Sequence, residues 1–455
     1  MHHIIFEGVR CFHQIQNRQI KPITLLVGEN SSGKSTFLAL TRIAWDIVEG
    51  DLREDIFNEE PFTLGSYDQI ASYRGGQAGR VKHFTIGVDI PLGDRFTASD
   101  LFGNSIKIIA KFSSNRSESM LDEWSLECGQ FSLAFSVPNG RNKKQVFLQT
   151  PTGISLLPER YISGRANWGG INRLLFESQF FVSREVQELF VDGKEKKNEK
   201  GKRILSEKET EYLRFMVSHI SRTLGERPYA FAPIRTRPER TYDPLKEVPK
   251  PEGTHVPMVL AKTFSEQSQQ ATKLQDALSS FGQASGLFNA VEVKRKGQKS
   301  SDPFQIGIKT IGQLFNLVDV GYGVSQVLPI IVDAVQNPKR TTFLLQQPEV
   351  HLHPKAQAEL GSFLVTLAHS EEKRFIIETH SDYLIDRIRM DVRDKRDIKP
   401  DDVAILYFEK SRSGVEIYDL SLDEYGNILD APPSFRQFFL EEEKRVLGIE
   451  NVPNY

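Results

Sequence analysis

The chain has 455 residues, which at roughly 150 residues per domain leaves room for about three structural units. Hydrophobic residues make up 39% and aromatic residues 10%, enough for a large core, so the composition excludes a disordered tail and a small stapled scaffold. With 58 basic against 60 acidic side chains the formal net charge is −2, so no global field draws nucleic acid and any DNA-binding surface has to be a local patch.

Cys11 and Cys128 lie too far apart for a zinc knuckle and make no disulfide framework, so they read as thiols of a reducing compartment. The N-terminal Met1-His2-His3-Ile4-Ile5-Phe6-Glu7 shows no signal-peptide pattern. The longest strongly apolar stretch, residues 327–332, falls far short of the roughly 20 residues that span a bilayer. The expectation is a soluble, cytoplasmic protein that does not engage a membrane.

In chain order, Ile4-Ile5-Phe6 and Ile23-Thr24-Leu25-Leu26-Val27 read as strands, the second a continuous buried run. A glycine-rich turn follows, and residues 35–48 carry a helical apolar pattern. Runs at 84–88, 106–109, 131–135 and 145–148 alternate and are rich in β-branched and aromatic residues, which predicts an antiparallel β subdomain. Residues 194–203 hold six Lys/Arg and two Glu, a solvated loop or a DNA contact. A helix is expected from about Ser206 to Leu224, with Ser206 and Glu209 as a capping box, and two more within 256–288. Strands at 342–345 and 374–377 are each followed by a helix, at 356–368 and 382–390, and further strands come at 403–408 and 415–418. Strand–turn–helix units at both ends of the chain imply one mainly parallel sheet built from distant segments, an α/β fold with an inserted helical region.

Gly28-Glu29-Asn30-Ser31-Ser32-Gly33-Lys34-Ser35 fits G-x-x-x-x-G-K-[ST] and is followed by Thr36. It lies directly after a buried strand and before a helix, where curled backbone N–H groups and the helix N-terminus favour phosphate. Lys34 supplies a cation for the β/γ-phosphates and Ser35 a hydroxyl for Mg²⁺, so ATP with Mg²⁺ is the expected ligand, held by Asn30, Ser31, Ser32, Gly33, Lys34, Ser35 and Thr36. Farther on, Gly321-Tyr322-Gly323-Val324-Ser325-Gln326 precedes an apolar helix expected over 327–335, so Gly323 and Ser325 stand at a second anion-binding helix start. The strand at 343–345 then ends in Gln346-Gln347-Pro348-Glu349-Val350-His351-Leu352-His353-Pro354, and the next ends in Ile377-Glu378-Thr379-His380-Ser381.

The order of these segments resembles an ABC-type ATPase head: P-loop, signature, Walker B, D-loop and switch histidine. The whole chain resembles the ATPase subunit of Septu-type antiphage systems (PtuA-like), within the RecF/OLD-like branch of those ATPases. That likeness also rests on residues 231–242 and on the tail from Gly426-Asn427-Ile428-Leu429-Asp430-Ala431-Pro432 to Phe438-Phe439-Leu440-Glu441-Glu442-Glu443. It implies four segments: an N-terminal lobe with the P-loop (1–150), an inserted, largely helical region with a basic loop (151–304), a C-terminal lobe with the later motifs (305–430) and a tail (431–455). It implies that Gly323 and Ser325 cap the γ-phosphate held by another copy, which requires a homodimer or larger oligomer, and that His380 contacts the γ-phosphate. It also implies an HNH nuclease partner (PtuB-like) and DNA.

The chain departs from that pattern at one place. Such heads put a Mg²⁺-binding acid at the position of Gln346 and a catalytic glutamate at that of Gln347. An amide orients water but is no general base and a poor Mg²⁺ ligand. Glu349 is the nearest carboxylate, either a replacement acid or a loop cap. His351 and His353 have no third ligand nearby in sequence, so D-loop packing is preferred to metal binding. Arg235, Arg237 and Arg240 either contact phosphates or form internal salt bridges. No Asp-x-Asp follows His380, no HNH pattern occurs and no heptad array is present, so the chain reads as an ATPase without its own nuclease or coiled-coil arm. Two alternatives stay open: a RecF-like DNA-repair ATPase without a nuclease partner, and a non-hydrolysing nucleotide-sensing scaffold.

Overall fold

The computed structural model describes residues 2–49, 55–76, 79–92, 103–136, 145–150, 153–156, 207–244, 248–266, 268–412, 414–435 and 437–447. The expected basic loop at 194–203 and the Ser206 cap lie outside these residues. The chain begins with β1 (His2–Glu7), β2 (Gln16–Ile20), β3 (Ile23–Gly28), α1 (Lys34–Glu49) and α2 (Tyr67–Ile70). It continues with β4 (His83–Pro91), β5 (Ser105–Asn115), β6 (Glu118–Cys128), β7 (Phe131–Ser136), β8 (Gln145–Thr150), β9 (Gly153–Leu156), α3 (Glu207–Leu224) and β10 (Tyr229–Ala230). Next come α4 (Val256–Thr263), α5 (Gln269–Ser285), β11 (Ala290–Arg295), β12 (Phe304–Lys309), β13 (Leu314–Asn316), α6 (Tyr322–Gln336) and β14 (Thr342–Gln346). The last elements are α7 (Pro354–Glu371), β15 (Arg374–Glu378), α8 (Asp382–Arg393), β16 (Val403–Ser411), β17 (Gly414–Leu422), β18 (Ile428–Leu429) and α9 (Gln437–Val446).

The chain divides into two compact units. One comprises residues 1–21, 35–232 and 338–344; the other comprises 22–34, 233–337 and 345–455. The fold is mixed α/β, with parallel and antiparallel sheets.

The first unit is built on an antiparallel sheet in the order β2-β1-β4-β5-β6-β7-β8-β9. Along β5, Ile106, Ile108, Ala110 and Phe112 are buried while their neighbours are not, the period-two pattern of a half-covered sheet. Phe57, Phe84 and Phe112 stack edge and face at 5.1–5.7 Å. Helix α1 buries Phe37, Leu38, Leu40, Ile43, Ala44 and Ile47. Two indoles grip its far end: Trp124 Nε1 donates to the Ile47 carbonyl at 3.1 Å, and Trp45 Nε1 to the Gly225 carbonyl at 3.2 Å. Nearby, Arg227 donates twice to Asp46, at 2.7 and 2.8 Å, and twice to Glu59, both at 2.7 Å.

The second unit holds the order β14-β15-β3-β16-β17-β18, with the last two residues of β14 belonging to it. Strand β3 is central and wholly apolar from Ile23 to Val27 because it lies between two parallel neighbours. Glu378, the last residue of β15, pairs with Leu26, and Phe408 of β16 with Gly28, so β15 ends within two residues of the end of β3 while β16 runs on to Ser411. β17 and β18 continue the sheet antiparallel. Helix α7 packs on α5 and α8. Among the described residues no helix is long and apolar enough to cross a membrane.

Among the stretches that differ from the sequence reading, two lie between residues 290 and 336. Residues 290–316 form a small antiparallel sheet, β11-β12-β13, where the alternation is short and interrupted by the turn at 296–303. The helix expected over 327–335 starts five residues earlier, at Tyr322. Gly323 is tolerated inside its first turn because a close approach needs it: a Cβ there would meet the His351 carbonyl oxygen at 2.6 Å.

Candidate functional site

The loop of residues 28–34 leaves the end of β3 and turns directly into α1. Gly28 and Gly33 adopt φ of 134° and 94°, and Ser31 a left-handed 60°. A Cβ on Gly28 would sit 2.3 Å from the Phe408 carbonyl oxygen of the paired strand, so only glycine fits. Gly28→Ala is therefore expected to destabilise the protein by roughly 2 kcal/mol or more, read as a lower denaturation midpoint. An unchanged midpoint would show that the strand end moves aside freely.

Ser32 is buried and donates from Oγ to the Glu29 carbonyl at 2.8 Å, bracing the curl. The Lys34 ammonium is buried at 3% exposure and donates to the Gly28 and Glu29 carbonyls at 3.0 and 2.6 Å. Burial lowers its pKa, while the nearby Glu378 carboxylate works the other way. A desolvated cation that donates to carbonyls of its own loop is ready for a stronger anionic partner. Asn30, Ser31 and Ser35 are exposed. Thr36 is buried, and its Oγ1 accepts from Arg10 Nη1 at 3.1 Å, a contact the sequence reading missed because the two lie 26 residues apart.

The later motifs assemble at the C-terminal ends of β14 and β15. The Gln347 N–H donates to the Glu378 carbonyl at 2.8 Å, and Gln347 sits at a left-handed φ of 43°. Sparsely populated backbone of this kind clusters at functional sites. Glu349 is 8% exposed, and its Oε1 accepts from the His380 N–H at 2.7 Å. Its other oxygen, Oε2, is buried with no hydrogen-bond partner among the described residues, a geometry suited to a cation or an ordered water. Burial raises the Glu349 pKa, against the His380 amide, its own amide, the Thr379 hydroxyl and, last, the Arg235 charge, which pull it down. The His380 ring is exposed, and its pKa is lowered by partial desolvation and then by Lys34. Gln346, the last residue of β14, is buried. The P-loop residues 28–34 and the pair Glu349–His380 thus belong to the same unit, while Ser35 and Thr36 open the helix of the other.

The glycine segment at 321–326 is placed differently from a free anion-binding turn. Gly321 is the N-cap of α6 without a side-chain cap, and Ser325 is buried with its Oγ donating to the Tyr322 carbonyl at 2.7 Å. Tyr322 packs edge-on against His351 at 4.9 Å. His353 caps α7, its Nδ1 accepting from the Lys355 N–H at 3.3 Å. Of the three arginines, Arg240 pairs with Asp319, Arg237 is exposed, and Arg235 is buried. In the tail, Phe435 packs edge-on against Tyr407 at 5.2 Å; the side chains of Phe438 and Phe439 lie outside the described residues.

A family model described as "AAA domain, putative AbiEii toxin, Type IV TA system" matches residues 224–386. No curated protein matches the chain. Among solved structures, the SmcHead bound to the C-winged helix domain of ScpA is similar at 11% identity and a TM-score of 0.42, covering 93% of this chain and 98% of that one. The SMC head domain from Thermotoga maritima is similar at 10% identity and a TM-score of 0.39, covering 92% and 97%. The Smc head domain with a coiled coil and joint derived from Pyrococcus yayanosii is similar at 11% identity and a TM-score of 0.42, covering 98% and 100%. The residues from the end of α3 into α8, which include Arg235, Ser325, Gln346, Glu349 and His380, are those similar to an AAA domain.

Proposed function

We propose that the chain is an ABC-type ATPase that binds ATP and Mg²⁺ and uses the nucleotide mainly as a switch. One observation carries this reading: the glycine loop at the end of the central parallel strand β3, with the buried Lys34 ammonium donating to the Gly28 and Glu29 carbonyls of that loop. In this reading Asn30 to Thr36 hold the phosphates, and Ser35 with Gln346 faces Mg²⁺, which neutralises phosphate charge when bound. Gln347 and Glu349 orient the attacking water, and His380 contacts the γ-phosphate. Gly323 and Ser325 act on the nucleotide of another copy, so the working form is a homodimer or a larger assembly. The division into 1–150, 151–304, 305–430 and 431–455 is part of the same reading.

Hydrolysis is expected to be slow. General-base assistance is typically worth ~10²–10⁴-fold, and an amide at position 347 does not provide it. Glu349→Gln is expected to remove the residual turnover and leave ATP binding intact. A non-hydrolysable analogue should induce the same assembly as ATP, because a ligand shifts states by differential affinity without being consumed. Steady-state turnover on the order of ten per second, ordinary for an enzyme, would overturn the switch reading.

The finer role proposed is control of an HNH nuclease partner (PtuB-like) acting on DNA in antiphage defence, within the cytoplasm. The likeness of the tail and of Gln346-Gln347-Pro348-Glu349 to the Septu-type subunit supports it, and the toxin–antitoxin wording of the matching family description is in keeping with it. Co-purification with an HNH protein encoded beside this chain tests it; a chain that never associates with such a protein favours the RecF-like alternative.

A further inference from the structure

Arg235 is 1% exposed, an expensive place for a guanidinium. Its backbone is clamped from both sides by one amide: the Arg235 N–H donates to Gln326 Oε1 at 3.1 Å, and Gln326 Nε2 donates to the Arg235 carbonyl at 3.4 Å. Gln326 is itself buried, in α6, one residue after Ser325. The Arg235 side chain reaches toward the end of β14, where Nη2 donates to the Gln346 carbonyl at 3.4 Å. Its Nε and Nη1 have no hydrogen-bond partner among the described residues, and neither does Glu349 Oε2. Glu349 is the charge that favours the Arg235 cation, which burial pulls down to about 10. The remaining Glu349 oxygen holds the His380 N–H at 2.7 Å.

An apolar side chain would fill the place of Arg235 without leaving N–H groups unmet. The unmet donors on Arg235 and the unmet acceptor on Glu349, three residues beyond the Gln346 carbonyl that Arg235 holds, leave this pair capacity for a second, directly bonded arrangement. Two discrete arrangements are what carries coupling between sites. We propose that Arg235 is a positioning residue that ties the start of α6 to Glu349, so that movement of α6 changes how Glu349 is held against His380. The proposal rests on the reading of Glu349 and His380 as hydrolytic groups. Arginine suits the task because its planar fork serves several acceptors at once.

Hydrogen exchange at the His380 amide in the nucleotide-free protein tests this, together with nucleotide affinity and steady-state kinetics. R235M and Q326L are each expected to speed that exchange by about tenfold or more, and R235K by less than about threefold. The double variant R235M/Q326L should exchange no faster than R235M alone, since both break one chain. R235M and Q326L should lower kcat about tenfold or more while KM and ATP affinity stay within about threefold. Unchanged His380 exchange, additive effects in the double variant, or a loss of affinity equal to the loss of kcat would each overturn the proposal. If R235M does not fold, R235K and Q326L carry the comparison, and additivity between them overturns it equally. Wild-type turnover in E349Q would instead sink the hydrolytic reading of Glu349, and the exchange data would then decide the coupling alone.

Discussion

Replacing Lys34 with alanine is expected to weaken ATP binding about 100-fold or more while the protein keeps its cooperative unfolding transition. The ammonium is buried with two loop carbonyls as its partners, and a polyphosphate is the stronger acceptor. A hydrogen bond to a charged group contributes about 1.5–3 kcal/mol, and two such bonds account for the expected loss. The fold should survive because burial already disfavours the charged form of Lys34, so its removal relieves a desolvation cost. Calorimetric titration with ATP and a thermal melt check both halves. Unchanged affinity would sink the assignment of the phosphate site.

The largest expected effect on stability lies elsewhere, in the first unit. Arg227→Met should destabilise the protein by about 3 kcal/mol, because it strands Asp46, whose side chain is 1% exposed, without its bidentate partner. Glu59 keeps its ion pair with Arg42 and, being about a third exposed, can also rehydrate. Adding Asp46→Asn to the Met variant should recover part of the loss, since the stranded charge is then gone. Denaturant titration of the wild type and the two variants reads this. A loss under about 1 kcal/mol for Arg227→Met would mean that water already reaches Asp46.

The parts of the fold that were legible in the sequence are those with a strong local pattern. The unbroken apolar run at 23–27 and the runs at 342–345 and 374–377 read as buried strands and are β3, β14 and β15. The alternation of residues 106–112 was equally clear. β2 was missed because its sequence, Gln-Asn-Arg-Gln-Ile, buries a glutamine and has no apolar face. β6 was missed because its alternation breaks where the β5–β6 register shifts between Lys111 and Phe112. The phosphate loop was legible in full because its chemistry is local: the glycines and Lys34 are fixed within a few residues of one another. The burial of Arg235 was not, since a charged residue between prolines reads as surface, and its partners Gln326 and Gln346 come from roughly 90 and 110 residues away. Glu349 left two readings, a cap or an acid, and its geometry has both aspects: one oxygen caps the His380 amide and the other is free of protein donors among the described residues.

The two indole clamps on α1 have a practical consequence. The sequence contains three tryptophans, and two of them, Trp45 and Trp124, report on the same few residues at the end of the helix that the phosphate loop opens. Trp124 is 2% exposed, and its indole N–H is committed to the Ile47 carbonyl. The Trp45 and Trp124 share of the intrinsic emission is therefore an unlabelled optical gauge of the far end of α1. A displacement transmitted along the helix as far as these two hydrogen bonds would be seen as a wavelength shift without any dye, mutation or partner protein.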